Sequence, residues 1–372
     1  MGISILHPYF TIAIIALIVI SVMEFRSGPY SPKKQIWFVV AFLIVLAGFR
    51  NLMIDDRAYK DMYALFGVNL PYDISVLKEN FYGIEWIYAL YNKIIFSLGM
   101  PFSFLVFFTA LMTVSIKCRF VSINSAYPAL SFLLYMIPSY FTGDMAHMRQ
   151  AVAIALVFLS YEAIKHRRLW LFLVLIYIAN GFHNSSLIFL FAYWLVLLPM
   201  KKWFIISAVA LCMVLSPFEV YNNISLLEGI TPKEVMQDYQ NYESIVHEET
   251  GKLRFNDILS MFYLFFILAF NEEAEEKIPY YEYMRNIVVV GICIYFIFRN
   301  SPIFSTRLVT YYYLFASIMV PSIIASVSSQ HLRKYLYGVM LCFVVFYYFV
   351  FANNAGKKGF TPENYSNWLI GG

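Results

Sequence analysis

Residues 145–168 read MAHMRQAVAIALVFLSYEAIKHRR. The run AVAIALVFLSYEAI is apolar over about four helical turns. It is opened by His147-Met148-Arg149-Gln150 and closed by Lys165-His166-Arg167-Arg168. A basic cluster closing an apolar helix marks a cytoplasmic end, so this stretch predicts a membrane span with its arginine opening on the opposite face. Comparable runs flank it on both sides, at 8–23, 35–49, 101–117, 127–142, 169–182, 186–200, 203–217, 255–270, 285–298, 307–327 and 335–352. Hydrophobic residues make up 61% of the 372 and charged residues only 13%, against roughly 45–50% and about 25% in soluble domains. Twelve helices of ~20 residues would occupy about 240 residues, close to two thirds of the chain. The expected fold is therefore a single integral membrane domain over 1–372, all-α and polytopic, with about twelve transmembrane helices (range 11–14). Segment 83–98, GIEWIYALYNKIIFSL, carries Glu85, Asn92 and Lys93 on an amphipathic pattern and predicts an interfacial or re-entrant helix.

Leaving 83–98 unspanned puts 24–34, 117–126, 165–168, 201–202, 271–284 and 328–334 on one side. With Arg285 at a helix edge, these loops hold 14 of the 27 Lys and Arg in about 49 residues. The opposite side holds 13 in about 131, so the first group is cytoplasmic by the positive-inside rule. Two long external loops follow, about 50–100 and 218–254, with both termini on that face. The acidic stretch NEEAEEKIPYYEYM (271–284) predicts a solvated cytoplasmic loop.

The net charge of +4 gives no basis for a nucleic-acid partner. Cys118, Cys212, Cys293 and Cys342 lie far apart and form no CxxC, which argues for buried helix thiols over zinc or a disulfide framework. No nucleotide-binding glycine motif and no HExxH occur, so neither cofactor nor metal is expected. The chemistry-bearing residues instead sit at external helix ends, where a charge near the bilayer is costly and needs a reason. Arg50 precedes Asp55, Asp56, Tyr59 and Tyr63; Asp55, Tyr59 and Tyr63 step by four, one face of a helix. Arg149 and Gln150 open the helix quoted above. His183 sits in the polar break Gly181–Ser186, and Arg307 with Tyr311 opens a late span. An arginine fork suits a diphosphate because it donates two parallel hydrogen bonds. The bland reading is equally physical: loop caps with internal ion pairs and a snorkelling Arg149.

The order Arg50-x4-Asp55-x3-Tyr59-x3-Tyr63, then Glu85, then Met148-Arg149-Gln150-Ala151, then Phe182-His183-x-Ser185, then Arg307-x3-Tyr311 resembles the EpsG family over about 35–320. That resemblance implies a Wzy-type polysaccharide polymerase of the bacterial inner membrane, of the kind found in exopolysaccharide, capsule and O-antigen clusters, with its active site facing the periplasm or exterior. A GT-C-like glycosyltransferase bundle is one form the fold could take. The implied substrates are undecaprenyl-diphosphate-linked oligosaccharides, and the implied partners are membrane lipids, a chain-length regulator and a flippase. Within it, Asp55, His183, Glu85 and Asp56 are the candidates for handling the acceptor hydroxyl. Arg50, Arg149, Gln150, Arg307, Tyr59, Tyr63 and Tyr311 are the candidates for diphosphate and substrate binding. Three arginines can neutralise a diphosphate without a metal. An O-antigen ligase-like transferase or a lipid-linked glycan transporter are the alternatives; against a transporter stand the missing internal repeat and the interfacial position of the charges.

The threading makes a direct prediction. A cysteine placed within 235–250 should react from outside intact cells with a membrane-impermeant thiol reagent. Labelling only after the cytoplasmic side is opened would reverse the assignment of every candidate above.

Overall fold

The computed structural model describes residues 4–31, 34–51, 56–79, 83–219, 253–355 and 359–370. Among these residues the regular structure is helical throughout, with a single isolated bridge between Arg50 and Asn367. The chain forms two compact units, 1–187 with 327–372, and 188–326.

In the first unit the helices are α1 (Pro8–Ser27), α2 (Ile36–Gly48), α3 (Asp56–Asn69), α4 (Ile74–Lys78), α5 (Trp86–Ser97), α6 (Phe102–Asn124), α7 (Pro128–Tyr135), α8 (Met148–Lys165) and α9 (Leu169–Phe182). In α3 the residues Tyr59, Tyr63 and Phe66 fall on one buried face, as their spacing requires. That face packs on α5, which buries Tyr88, Ala89, Asn92 and Ile95. The amphipathic reading of 83–98 is thus a real helix, and the expected external loop at 50–100 is largely helical. The approach of α3 to α5 depends on Gly67, since a Cβ there would overlap the Phe96 ring.

The second unit holds α10 (Ala192–Leu195), α11 (Lys202–Leu215), α12 (Phe255–Lys277), α13 (Tyr281–Ile297), α14 (Pro302–Arg307), α15 (Thr310–Tyr313) and α16 (Ala316–Ser326). Here Asn286 donates to the carbonyls of Val196 (3.0 Å) and Leu198 (2.8 Å), closing the end of one helix against the start of another. Helix α17 (Gln330–Ala355) returns the chain to the first unit.

The apolar runs lie mostly on helix, although 196–200 is turn and irregular chain, and five segments are long and apolar enough to cross a bilayer: Pro8–Ser27, Phe102–Asn124, Phe255–Lys277, Phe304–Ser326 and Gln330–Asn354. These make the chain a membrane protein. The run 127–142 is not one continuous span. After α7 the backbone widens into a π-type turn, Met136–Asp144, and leaves helical geometry at Ile137 (φ −115°, ψ 111°). The acidic stretch after 271 is no loop either. It continues α12 to Lys277, where Glu275 accepts from the buried Arg285. Lys117, counted among cytoplasmic loop residues, lies wholly buried within α6.

The tail also folds back. Tyr365 donates to the Leu46 carbonyl (2.8 Å), Asn51 N–H donates to Ser366 O (2.9 Å), and Trp368 N–H to Phe49 O (3.1 Å). These bonds satisfy backbone groups at the end of α2 that its own helix leaves open.

Forcing a methyl group between α3 and α5 should be felt as overpacking, about 1–3 kcal/mol. Gly67→Ala is accordingly expected to lower the melting temperature of the purified protein in detergent. An unchanged melting curve would show that the α3–α5 contact opens at no cost.

Candidate active site

Glu85, the residue before α5, is the junction of three segments. Its Oε2 accepts from Arg149 Nη1 at 2.5 Å, and its Oε1 accepts from the backbone N–H of Asn184 at 3.1 Å. The first contact ties α5 to the opening turn of α8. The second ties it to the turn that follows α9, beside His183. Glu85 is 7% exposed in its side chain, so the carboxylate is held in a poorly hydrated place by a cation and an amide, the two donor types that stabilise a buried carboxylate.

Arg149 is braced from a second direction. Its guanidinium carbon lies 5.9 Å from the ring centre of Tyr88, within cation–π range. Burial pushes the Tyr88 phenol well above its usual value, so the ring stays neutral and its face stays electron-rich. The Tyr88 ring meets that of Tyr59 edge-on at 6.1 Å. Unlike Arg50, Arg149 keeps 23% of its side chain exposed, while its Nε is buried and makes no hydrogen bond among the described residues. It is fixed in place while retaining capacity to donate.

Arg50 has no such reserve. Its Nε and Nη2 donate to Asp56 Oδ2 (3.0 Å) and Oδ1 (2.6 Å), and its Nη1 donates to the Ala47 carbonyl at 2.7 Å. Both side chains are almost wholly buried, 1% and 3% exposed. The pair joins the end of α2 to the start of α3 and uses both oxygens of Asp56. Asp55 lies outside the described residues.

His183 is half-buried at the end of α9. The Ser185 backbone N–H (3.3 Å) and the Ser185 hydroxyl (2.7 Å) both approach its Nδ1. An N–H directed at Nδ1 requires an acceptor there, so the neutral ring carries its proton on Nε2. The remaining candidates are less exposed to chemistry. Tyr63 is buried and donates to the Met100 carbonyl, and Gln150 is buried in the first turn of α8. In the second unit Arg307 is exposed at the end of α14 and Tyr311 is fully buried in α15. Among the described residues no group of three or more His, Cys, Asp or Glu is placed to hold a metal ion.

The first unit therefore gathers Arg50, Asp56, Tyr59, Glu85, Arg149 and His183 around α3, α5 and the ends of α8 and α9. Tyr88 joins this set through its contact with Arg149, and its position three residues after Glu85 is the sequence signal for it.

The EpsG family matches residues 33–366, about nine-tenths of the chain. The chain belongs to the EpsG family. This is the family of Wzy-type polysaccharide polymerases, which gives the chain a polymerase-type function in polysaccharide synthesis. No curated protein and no solved structure matches it. The motifs that this EpsG-family chain shows in sequence, Glu85, Met148–Ala151 and Phe182–Ser185, are the segments joined at one carboxylate.

Glu85→Gln keeps the shape but removes the charge that meets Arg149, a hydrogen bond of the charged class worth about 1.5–3 kcal/mol. The variant is expected to melt at lower temperature than the parent protein. An unchanged melting temperature would mean that the carboxylate does not anchor α8.

Proposed function

We propose that this protein joins undecaprenyl-diphosphate-linked oligosaccharide repeat units by glycosyl transfer at the extracytoplasmic face of the bacterial inner membrane. The twelve apolar helical segments would all lie within the bilayer, with Lys165–Arg168 cytoplasmic and the Glu85–Arg149 junction on the opposite face. One observation carries the reading: Arg149 is fixed by Glu85 and Tyr88 yet leaves 23% of its side chain exposed to an outside anion.

In the reaction, the bond between the donor sugar's anomeric carbon and its diphosphate oxygen breaks. A new bond forms from that carbon to the acceptor hydroxyl oxygen, whose proton passes to a base, and the lipid diphosphate departs. Negative charge grows on the departing diphosphate, and a preorganised cation aimed at it lowers the barrier. Arg149 takes that role. His183, in the segment held by Glu85 through the Asn184 amide, is a further contact for substrate oxygen. Both oxygens of Glu85 and of Asp56 are already occupied by donors, which supports positioning over proton transfer for these two. Asp55 ranks first as the acceptor-side base and His183 second. No metal is required by this scheme.

Deleting the gene should leave a single repeat unit on the surface acceptor lipid. Accumulation of long chains on undecaprenyl diphosphate would indicate a ligase instead. In purified protein, Arg149→Ala should lower kcat/KM by roughly 10²-fold or more, the scale of losing one transition-state donor. Arg149→Lys should rescue poorly, because an ammonium keeps the charge and loses the fork. Wild-type turnover in Arg149→Ala would remove this residue from the reaction.

A further inference from the structure

The first unit holds a second buried ion pair, away from the Glu85 junction. Lys117, within α6, donates to Asp144 Oδ1 at 2.7 Å, and the two side chains are 1% and 0% exposed. The Tyr135 hydroxyl, from the end of α7, donates to the other carboxylate oxygen, and the Lys117 ammonium lies 5.6 Å from the Tyr135 ring centre. Three segments thus meet in a closed polar cluster inside an apolar helix bundle.

Stability does not explain it. Burying two charges costs about as much desolvation as their attraction returns, and apolar replacements of such clusters are often neutral or stabilising. What the cluster supplies is a fixed position for residue 144. That residue ends the π-type turn, and the backbone from it to α8 is tied throughout: Met145 N–H donates to Tyr140 O (3.0 Å), His147 N–H to Gly143 O (2.8 Å), and Ala151 N–H to His147 O (2.9 Å). The next turn carries Arg149. Helix α6 also packs along α8 through the stacked rings of Phe120 and Phe158, 4.3 Å apart. The same helix therefore sets both the lateral position of α8 and the height at which it begins.

We infer that Lys117, Asp144 and Tyr135 are positioning residues: the cluster sets the height of the first turn of α8 so that Arg149 meets Glu85 and faces substrate. This rests on the reading of Arg149 given under Proposed function. A misplacement of about 1 Å in such a group can cost on the order of 10²-fold in rate.

The test is a double-mutant cycle on purified protein, with lipid-linked repeat unit extracted from a polymerase-null host as substrate. The triple change Lys117→Met/Tyr135→Phe/Asp144→Leu removes the charges while conserving approximate volume. It should remain monodisperse in detergent and lose about tenfold or more in kcat/KM. Added to Arg149→Ala, it should cost less than about twofold further, because residues that act through one another are not additive. A purely structural cluster would give the same loss in both backgrounds, and that result overturns the inference, as does an unimpaired triple variant. If the triple variant fails to assemble, Asp144→Asn enters the same cycle and is decided by the same two outcomes. Wild-type kcat/KM in Arg149→Ala would instead overturn the reading of Arg149, and the inference with it. An impaired Arg149→Ala beside unimpaired cluster variants overturns the positioning role alone.

Discussion

A cation removed from water needs a carboxylate or a backbone carbonyl, because hydrocarbon offers neither charge nor acceptor. The packing of this chain is organised by that constraint. Arg50 meets Asp56, Lys117 meets Asp144, Arg285 meets Glu275, and Arg299 meets Asp257. Each pair joins residues from different segments of its unit, so each fixes a junction as well as satisfying a charge. The Arg299–Asp257 pair is extended by Tyr295, which donates to Asp257 Oδ1 at 2.8 Å, just as Tyr135 extends the Lys117 pair. Tyrosine suits this role, since its ring belongs in an apolar bundle while its hydroxyl fills the acceptor capacity left on the carboxylate.

Arg149 is the informative departure from this pattern. It too has its carboxylate, but Glu85 divides its two oxygens between the guanidinium and a backbone amide. The bidentate lock seen between Arg50 and Asp56 is therefore absent here, and part of the fork stays open. Two arginines that look alike in sequence, each at a helix end near aspartate or glutamate, are thereby separated by geometry. One closes a helix corner and the other offers charge to a ligand.

The helical, membrane-embedded character was legible because apolar runs of span length leave no alternative backbone. The one-face spacing of Tyr59 and Tyr63 and the amphipathic pattern of 83–98 were legible for the same reason: a period of 3.6 residues is written directly in residue order. What residue order could not show was which charges pair. Asp56 lies six residues from Arg50 and could be guessed, but Asp144 is 27 residues from Lys117 and Glu85 is 64 from Arg149. Lys117 also misled the charge count, since a lysine near the end of an apolar run reads as a loop residue until its partner is known. The break at Ile137 was hidden by apolar sequence on both sides, although Pro138 beside it is a known helix breaker. Continuation of α12 through NEEAEEK was obscured because acidic residues serve a helix as well as a loop.

The hydrogen bonds between the tail and the end of α2 have a consequence for how the protein is made. Asn51 and Ser366 are separated by 315 residues, and the bridge between Arg50 and Asn367 lies one residue further out on each side. The corner that Arg50 locks with Asp56 is thus made about three hundred residues before those that complete its backbone. Until then, the N–H of Asn51 and the carbonyls of Val45, Leu46 and Phe49 lack the partners that the tail provides. The nascent protein therefore carries an unfinished edge next to its polar centre throughout insertion, and a ribosome that stalls before residue 365 leaves that edge open to water, lipid or a chaperone.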